Sequence, residues 1–276
     1  MQLQFKNRTL SLASPIVMGI LNVTPDSFFD GGKFIDENFI LSQTEKMLNE
    51  GADIIDIGGC STRPGVQTVS EETELTRLIP AIKIIRNKFR DAIISIDTFR
   101  SDIAEKSIDA GADMINDISG GTIDNNMFDI IAKHNVPYVL MHIQGTPQTM
   151  QQNPHYENVV EEVKKYFAEK IILLKNSGVK QIIIDPGFGF GKTLEHNYSL
   201  LNNLCSFKSF GLPLLAGVSR KSMINKILGI KPEEALNGTT VINTIALLNG
   251  ANILRVHDVK EAKEVIKIYK FKVWSA

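Results

Sequence analysis

The sequence predicts a closed (β/α)8 barrel, in which eight parallel strands alternate with eight helices. Short apolar runs rich in β-branched residues alternate with longer stretches of helical periodicity, which is typical of repeated βα units. The alternation continues without an interdomain linker, and 276 residues suit one barrel of this kind. We therefore predict an α/β protein with one TIM-barrel domain over residues 1–276.

Eight apolar runs are predicted to form the barrel strands. Several lack strict polar alternation, as expected for strands that are covered on both faces. The runs are 16–22, 53–58, 92–98, 114–118, 138–142, 181–185, 214–219 and 253–257. Two short strand-like runs flank a turn at residues 6–8, which predicts an N-terminal β-hairpin at the bottom of the barrel.

Helices are predicted in the intervals between the strands. Three of them end at a Gly-Ala pair, at Gly51, Gly111 and Gly250, which is typical of a glycine that ends a helix before a short loop. The predicted helices are 37–50, 70–89, 101–110, 124–134, 156–177, 195–206, 233–249 and 258–270.

Composition argues against several classes of protein. Thirty basic and 31 acidic residues give a net charge of −1, without the basic excess of a nucleic-acid-binding protein. The apolar runs are too short to cross a membrane, and the first residues lack the apolar stretch of a secretion signal. Two cysteines, Cys60 and Cys205, cannot build a disulfide framework and suit a reducing compartment. We expect a cytoplasmic protein.

Polar residues stand at the ends of most predicted strands. In a TIM barrel the C-terminal ends of the strands meet at one face, where active sites are built. One set suits a flat, nitrogen-rich heterocycle, because a carboxylate can accept from a ring N–H and a neighbouring amino group together. This set is Asp97, Asn116, Asp185 and Lys221. The alternative is an internal network of salt bridges with Lys221 and Arg255.

A second set suits an anion. Arg63, Arg255 and His257 are placed at the same barrel face, and the Arg-x-His spacing sends both side chains of one strand the same way. Asn22 could offer an amide oxygen to a hard cation such as Mg2+, or could simply cap a loop.

Two glycine- or serine-containing segments follow predicted strands. Residues 187–193 look like a phosphate-binding Walker A loop but are one residue short, so a loop that approaches a ligand or helix closely is favoured. Residues 219–222 open a helix, whose first amides would form an anion site. The sequence has neither a zinc-binding His-Glu-x-x-His pattern nor a Gly-x-Ser-x-Gly elbow.

Nine segments in order along the chain resemble the dihydropteroate synthase family. Among them are Ser-Thr-Arg-Pro-Gly at 61–65, Asp-Pro-Gly-Phe-Gly-Phe-Gly-Lys at 185–192 and Arg-Val-His-Asp at 255–258. The others lie at 18–28, 56–59, 96–98, 115–118, 141–142 and 219–222. The chain departs from the family at Phe29, at Cys60 and at residues 98–100.

The resemblance implies a homodimeric TIM barrel of folate synthesis. Its substrates would be 6-hydroxymethyl-7,8-dihydropterin diphosphate and 4-aminobenzoate, its products 7,8-dihydropteroate and diphosphate, and its cofactor Mg2+. It also implies inhibition by sulfonamides, which carry the same aniline ring as 4-aminobenzoate.

The resemblance also assigns roles to residues of this chain, with Asp97, Asp185 and Lys221 as the catalytic ones. The pterin would contact Asp97, Asn116, Met141, Asp185, Phe190 and Lys221. The diphosphate would contact Asn22, Arg63, Arg255 and His257, with Mg2+ at Asn22. The 4-aminobenzoate would contact Phe28, Thr62, Pro64, Phe190, Lys221 and Ser222.

Two other functions stay open. A methyltransferase that uses methyltetrahydrofolate shares the barrel and part of the pterin pocket, but it needs no diphosphate site, so Arg63, Arg255 and His257 weigh against it. A catalytically silent pterin-binding paralogue would be expected to lose some of these residues, and all of them are present.

Overall fold

Eight parallel strands form the barrel, as predicted. The computed structural model describes residues 1–24, 36–60 and 69–274. The strands are β3 (Ile16–Asn22), β4 (Ile54–Gly58), β5 (Ile94–Asp97), β6 (Met114–Asp117), β7 (Tyr138–Met141), β8 (Ile182–Asp185), β9 (Leu215–Ala216) and β10 (Ile253–Val256). Their order in the sheet is β8-β7-β6-β5-β4-β3-β10-β9, and a bridge between Ile184 and Leu214 brings β8 back to β9.

The predicted N-terminal hairpin is present. Strands β1 (Gln2–Phe5) and β2 (Arg8–Ser11) pair antiparallel, and Leu3 and Phe5 pack into the apolar layer at the bottom of the barrel. Arg8 ties the hairpin to the barrel by donating to the Ala92 carbonyl at 2.8 Å and to the Asp113 carboxylate at 3.1 Å. The hairpin therefore covers the end of the barrel opposite the predicted site.

Helices occupy the intervals between the strands. They are α1 (Glu37–Asn49), α2 (Glu71–Lys88), α3 (Ser101–Asp109), α4 (Met127–His134), α5 (Val159–Asn176), α6 (Leu194–Asn202), α7 (Ser222–Leu228), α8 (Leu236–Leu248) and α9 (Val259–Trp274). At the predicted helix-ending glycines the backbone is left-handed, with φ of +97° at Gly51, +116° at Gly111 and +102° at Gly250. Across the described residues, every helix is too short or too polar to cross a membrane.

Several predicted boundaries were wrong, and three of them have a clear physical cause. Helix α6 ends at Asn202, and a 3₁₀ helix, Leu204–Phe210, continues the chain until Gly211 ends it with φ +65°. The strand predicted at 214–219 is only Leu215–Ala216 long, because the chain turns at Val218, whose carbonyl accepts from the Lys221 amide at 3.3 Å. Helix α5 begins at Val159 rather than at 156, because the Asn158 side chain caps it.

Candidate active site

Polar side chains gather at the C-terminal end of the barrel, as the spacing predicted. Asp97 and Asn116 are register partners on β5 and β6, and Met141 and Asp185 are register partners on β7 and β8. Asp97, Asn116 and Asp185 are 9%, 3% and 4% exposed, so all three are removed from bulk water. Buried polar groups are costly unless they find partners, so the partners of these side chains define what the site can do.

Arg255 stands at the centre of a buried carboxylate cluster. Its Nε donates to Asp56 Oδ2 and its Nη2 to Asp97 Oδ2, each at 2.6 Å. Asn116 Nδ2 also donates to Asp56 Oδ2, at 3.0 Å. The internal salt bridge that the sequence left open is therefore present at Asp97 and Arg255, two residues that the resemblance assigned to the pterin and the diphosphate halves of one substrate.

Asp56 is the member of this cluster that the sequence analysis did not propose. It is 0% exposed and lies in the middle of β4, in the run Ile-Ile-Asp-Ile-Gly. A carboxylate inside an otherwise apolar strand was the available signal, because such a group needs a specific partner. The expectation that site residues stand at strand ends missed Asp56, because it lies two residues before the end of β4.

The two carboxylates keep one oxygen each that points to a missing partner. Oδ1 of Asp56 and Oδ1 of Asp97 are buried and accept no hydrogen bond from the described residues. Burial raises the pKa of Asp97 to about 7, with Arg255 opposing the rise and Asp56 adding to it. A ligand with N–H donors would satisfy both oxygens and stabilise the ionised form of Asp97.

Asp185 ends β8, and Lys221 follows β9, the strand that a bridge joins to β8. Asp185 Oδ1 accepts from the Gly187 amide at 2.8 Å, and Lys221 Nζ donates to the Phe188 carbonyl. Burial raises the pKa of Asp185, and the charge of Lys221 is the main influence that lowers it. Burial also lowers the pKa of Lys221 to about 8, against the charge of Asp185.

An apolar wall borders these charges. Met141 belongs to a buried cluster with Phe99, Ile118, Ile143 and Met150, and Phe190 packs against that cluster. The Lys221 ammonium lies 4.6 Å from the centroid of the Phe190 ring. Two residues predicted for the pterin, Met141 and Phe190, therefore lie in one wall beside the carboxylates.

The rim of the barrel holds His257 and Ser222, which are both exposed. His257 follows β10 and bonds the Ser219 hydroxyl through Nδ1 at 3.0 Å. Ser222 begins α7, and Lys221 precedes it at the N-cap position. Arg255 points into the carboxylate cluster while His257 lies at the surface, so the predicted pair is spread from the interior to the rim.

Asn22 ends β3 at the same face and is exposed. Its Oδ1 lies 3.4 Å from the position that a Cβ on Gly58 would take, and Asp97 Oδ2 lies 4.0 Å from that position. The described residues hold no cluster of three His, Cys, Asp or Glu side chains suited to a metal. One amide oxygen fits a hydrated Mg2+ that arrives with a diphosphate, since Mg2+ keeps several waters and binds few protein ligands.

Four predicted residues, Phe28, Thr62, Arg63 and Pro64, lie outside the described residues, as does Phe29. The backbone on either side of 61–68 is held by arginines. Arg77 donates to the Gly59 carbonyl and Arg100 to the Val69 carbonyl, each at 2.8 Å.

Arg100 also forms an ion pair with Glu74, a buried carboxylate that accepts a 2.8 Å hydrogen bond from Thr98. The departure from the family at residues 98–100 thus supplies an anchor for Val69.

Fold and site together define a (β/α)8-barrel protein whose mouth offers buried carboxylates, an amide and a lysine to a ligand rich in N–H donors. Residues 18–257 match the family of pterin binding enzymes, and the chain belongs to that family.

Within this family the chain is similar to dihydropteroate synthases. It is 46% identical over 270 residues to the enzyme of Escherichia coli K12, covering 97% of this chain and 95% of that one. The dihydropteroate synthase of Yersinia pestis with a sulfonamide drug complex aligns over 100% of both chains, with 41% identity and a TM-score of 0.94. That of Xanthomonas albilineans with 4-aminobenzoic acid aligns over 98% of this chain and 97% of that one, with 38% identity and a TM-score of 0.90.

Proposed function

We propose that the chain is a dihydropteroate synthase, which joins 6-hydroxymethyl-7,8-dihydropterin diphosphate to 4-aminobenzoate and releases diphosphate. The observation that carries this proposal is the pair of carboxylate oxygens on Asp56 and Asp97 that accept no hydrogen bond from the described residues, beside Asp185 and Asn116 in a buried barrel mouth. Curated relatives of the same name match almost the whole chain.

The pterin would lie over the carboxylates. Asp185 would accept from a ring N–H and its neighbouring amino group, Asn116 would offer its carbonyl oxygen, and Lys221 would donate to a ring acceptor. Asp97 would accept from a further N–H through Oδ1. Met141 and Phe190 would cover the faces of the ring, as the apolar wall allows.

The diphosphate would bind toward the rim, at Arg63, Arg255, His257 and Asn22. A guanidinium carries five N–H donors, so the two bonds from Arg255 to Asp56 and Asp97 leave it able to meet an anion as well. These carboxylates raise the pKa of Arg255 and keep it cationic. Mg2+ bound to the diphosphate would offset the negative charge of the leaving group.

The 4-aminobenzoate would enter over Lys221 and Phe190. Its aniline nitrogen must approach the methylene carbon of the pterin, while its carboxylate reaches toward Ser222 at the exposed start of α7. Phe28, Thr62 and Pro64, which belong to the chain outside the described residues, would complete this half of the site.

The chemistry requires stabilisation of charge rather than a covalent nucleophile. As the carbon–oxygen bond to diphosphate breaks, positive charge spreads over the pterin ring, and Asp97 and Asp185 would offset it. The aniline nitrogen then attacks the methylene carbon and loses a proton. Because the nitrogen becomes acidic once it has attacked, no strong general base is needed. Catalysis would rest on the buried carboxylates.

The decisive experiment mixes pterin diphosphate, 4-aminobenzoate and Mg2+ with the protein. Dihydropteroate and diphosphate should appear in equal amounts. When 4-aminobenzoate is left out, neither product should accumulate. A methyltransferase would instead consume methyltetrahydrofolate without releasing diphosphate. A silent paralogue would bind the pterin and release nothing.

Sulfonamides are expected to inhibit competitively against 4-aminobenzoate. They carry the same aniline ring as 4-aminobenzoate. A site that binds this ring and a nearby anion should accept a sulfonyl group in place of the carboxylate. With sulfamethoxazole we expect an inhibition constant in the low micromolar range, on the order of −8 kcal/mol of binding. Steady-state rates at varied 4-aminobenzoate measure it, and full activity at millimolar drug would contradict the prediction.

A cytoplasmic homodimer is proposed as the working form. The neighbouring helices α7 and α8 expose five large apolar residues, Ile227, Leu228, Leu236, Val241 and Leu248, which would be covered in a dimer. Sedimentation equilibrium should give twice the monomer mass, and Leu228→Glu should shift the chain toward monomer. Exposed Ile172 on α5 offers the matched control Ile172→Glu, which should leave the mass unchanged.

A further inference from the structure

The loop after β8, residues 187–191, is held through its backbone carbonyls by three side chains from other segments and by Lys192, which directly follows it. Each bond involves a different donor. Lys221 Nζ donates to the Phe188 carbonyl, Gln151 Nε2 to Gly189 at 2.7 Å, Lys192 Nζ to Phe190 at 2.9 Å, and the Tyr156 hydroxyl to Gly191 at 2.9 Å. These four hydrogen bonds hold the loop in one preferred position, which the residues of the loop would not fix by themselves.

Lys192 is the most deeply buried of these donors. It is 3% exposed, and its Nζ also lies 3.0 Å from His142 Nδ1 and 3.3 Å from the His142 carbonyl oxygen. Together with the Phe190 carbonyl these groups offer three acceptors to the three N–H donors of an ammonium. Burial lowers the pKa of Lys192, and the charge of Asp185 opposes that shift.

The ring of His142 can accept a hydrogen bond from the Lys192 ammonium. Burial and the charge of Lys192 lower the pKa of His142 to about 2, so its ring is neutral, and Nδ1 can accept while Nε2 carries the proton. The ring stands edge-on to Tyr166 with centroids 4.8 Å apart. The acceptor that faces Lys192 is therefore fixed in position.

The loop also lies directly against the end of β7. A Cβ on Gly187 would stand 2.0 Å from the His142 carbonyl oxygen, and one on Gly191 would stand 2.6 Å from the Gln144 carbonyl oxygen. Both glycines have positive φ, +71° and +62°. The loop backbone therefore lies too close to the chain after β7 for a side chain at either position, and Lys192 bonds the loop to His142 there.

We propose that Lys192 is a positioning residue: together with His142 it clamps the 187–191 loop onto the end of β7 and so fixes the Phe190 ring and the carbonyl that holds Lys221. The Walker-like spacing of the segment is one residue short of a phosphate-binding loop, and the Lys192 ammonium is turned inward, to the Phe190 carbonyl and to His142. The effect on 4-aminobenzoate rests on the proposed function, in which Phe190 and Lys221 border that substrate.

Lys192→Met tests the clamp, because methionine keeps an unbranched apolar stem and removes the three donors. We expect the KM for 4-aminobenzoate to rise about tenfold, as a slightly misplaced binding group produces. The dissociation constant for pterin diphosphate should rise less than this KM, because Asp97, Asn116 and Asp185 stay on their strands and only the pterin contacts of Phe190 and Lys221 are disturbed. Amide hydrogen exchange of residues 187–191 should become faster while exchange in the barrel strands is unchanged.

Lys170→Met is the matched control. Lys170 is a half-buried lysine on α5, whose ammonium lies 5.5 Å from the Phe128 ring centroid and 5.9 Å from that of Tyr166. It should leave both the exchange of residues 187–191 and the KM for 4-aminobenzoate at the values of the unmodified chain. If Lys192→Met behaves like this control, or speeds exchange equally across the whole barrel, the positioning role is wrong.

His142→Phe is the second variant, for use if Lys192→Met does not fold. It keeps an aromatic ring beside Tyr166 but deletes the Nδ1 acceptor of Lys192, so it should produce the same local exchange with a smaller rise in KM. Unchanged exchange at residues 187–191 in this variant overturns the proposal. Hydrogen exchange does not require catalysis, so it tests the clamp even if the unmodified chain forms no dihydropteroate. Failure to form dihydropteroate would refute only the proposed function.

Discussion

Asp185→Asn is expected to weaken pterin binding by about 1.5–3 kcal/mol, roughly ten- to a hundredfold, while leaving the fold intact. The amide can still accept the Gly187 N–H through one oxygen, as Asp185 Oδ1 does at 2.8 Å. Its second atom, however, becomes an N–H donor facing the N–H donors of the pterin, and the negative charge is lost. Calorimetric titration with pterin diphosphate measures the affinity.

Turnover should fall further than binding. If Asp185 offsets charge that develops on the ring as diphosphate leaves, its neutral analogue should reduce kcat by about 10²–10³. Asp53→Asn is the matched control, because Asp53 is bound by the Val17 amide and Lys263 at the opposite end of the barrel. Pterin affinity that is equal in the two variants would remove Asp185 from the site.

Most of the fold could be predicted because its signals are local. Hydrophobic patterning and the glycines that end helices each depend on a few neighbouring residues. These two signals located all eight barrel strands along the chain. The end of α6 and the length of β9 could not be predicted in this way. They depend on a 3₁₀ segment and on a turn at Val218, which an apolar pattern does not distinguish from a longer helix or strand.

The site was predictable where a residue type and a strand end coincide. Asp97, Asn116 and Asp185 satisfy that rule and meet at one face of the barrel. Asp56 does not, because it lies inside β4, and neither does Lys192, which lies in the segment after β8. His142 stands at the predicted end of its strand, but its role comes from Lys192, a partner that is distant in sequence. Lys192 lies 50 residues from His142, and Asp56 lies 199 residues from Arg255. No spacing rule connects positions so far apart.

Arg255→Met is expected to lower the free energy of unfolding by about 3–5 kcal/mol at pH 8, because it leaves two buried carboxylates without their cation. Arg255 binds Asp56 and Asp97 at 2.6 Å each, and both carboxylates lie close enough for Asp56 to raise the pKa of Asp97. Urea denaturation followed by circular dichroism measures the change. Activity should be lost as well, since the pterin and diphosphate halves of the proposed site meet at this residue.

The loss of stability should depend on pH. Asp97 has a pKa of about 7 in the folded chain against 3.8 for the free side chain, so its contribution is fully present below about pH 4 and is lost as the pH rises through about 7. Removing Arg255 raises that folded pKa further, because the cation that favoured the ionised form is gone. Arg255→Met should therefore be less destabilising at pH 5 than at pH 8.

A second substitution separates the charge effect from lost packing. If uncompensated charge is the cause, Asp56→Asn in the Arg255→Met background should recover part of the stability at pH 8, because only one buried carboxylate is left. At pH 5 it should recover less, since protonation has already relieved the repulsion. Activity should stay lost in the double variant, because the guanidinium is still missing. Equal loss at both pH values, with no recovery, would mean that Arg255 acts through its packed side chain rather than through its charge.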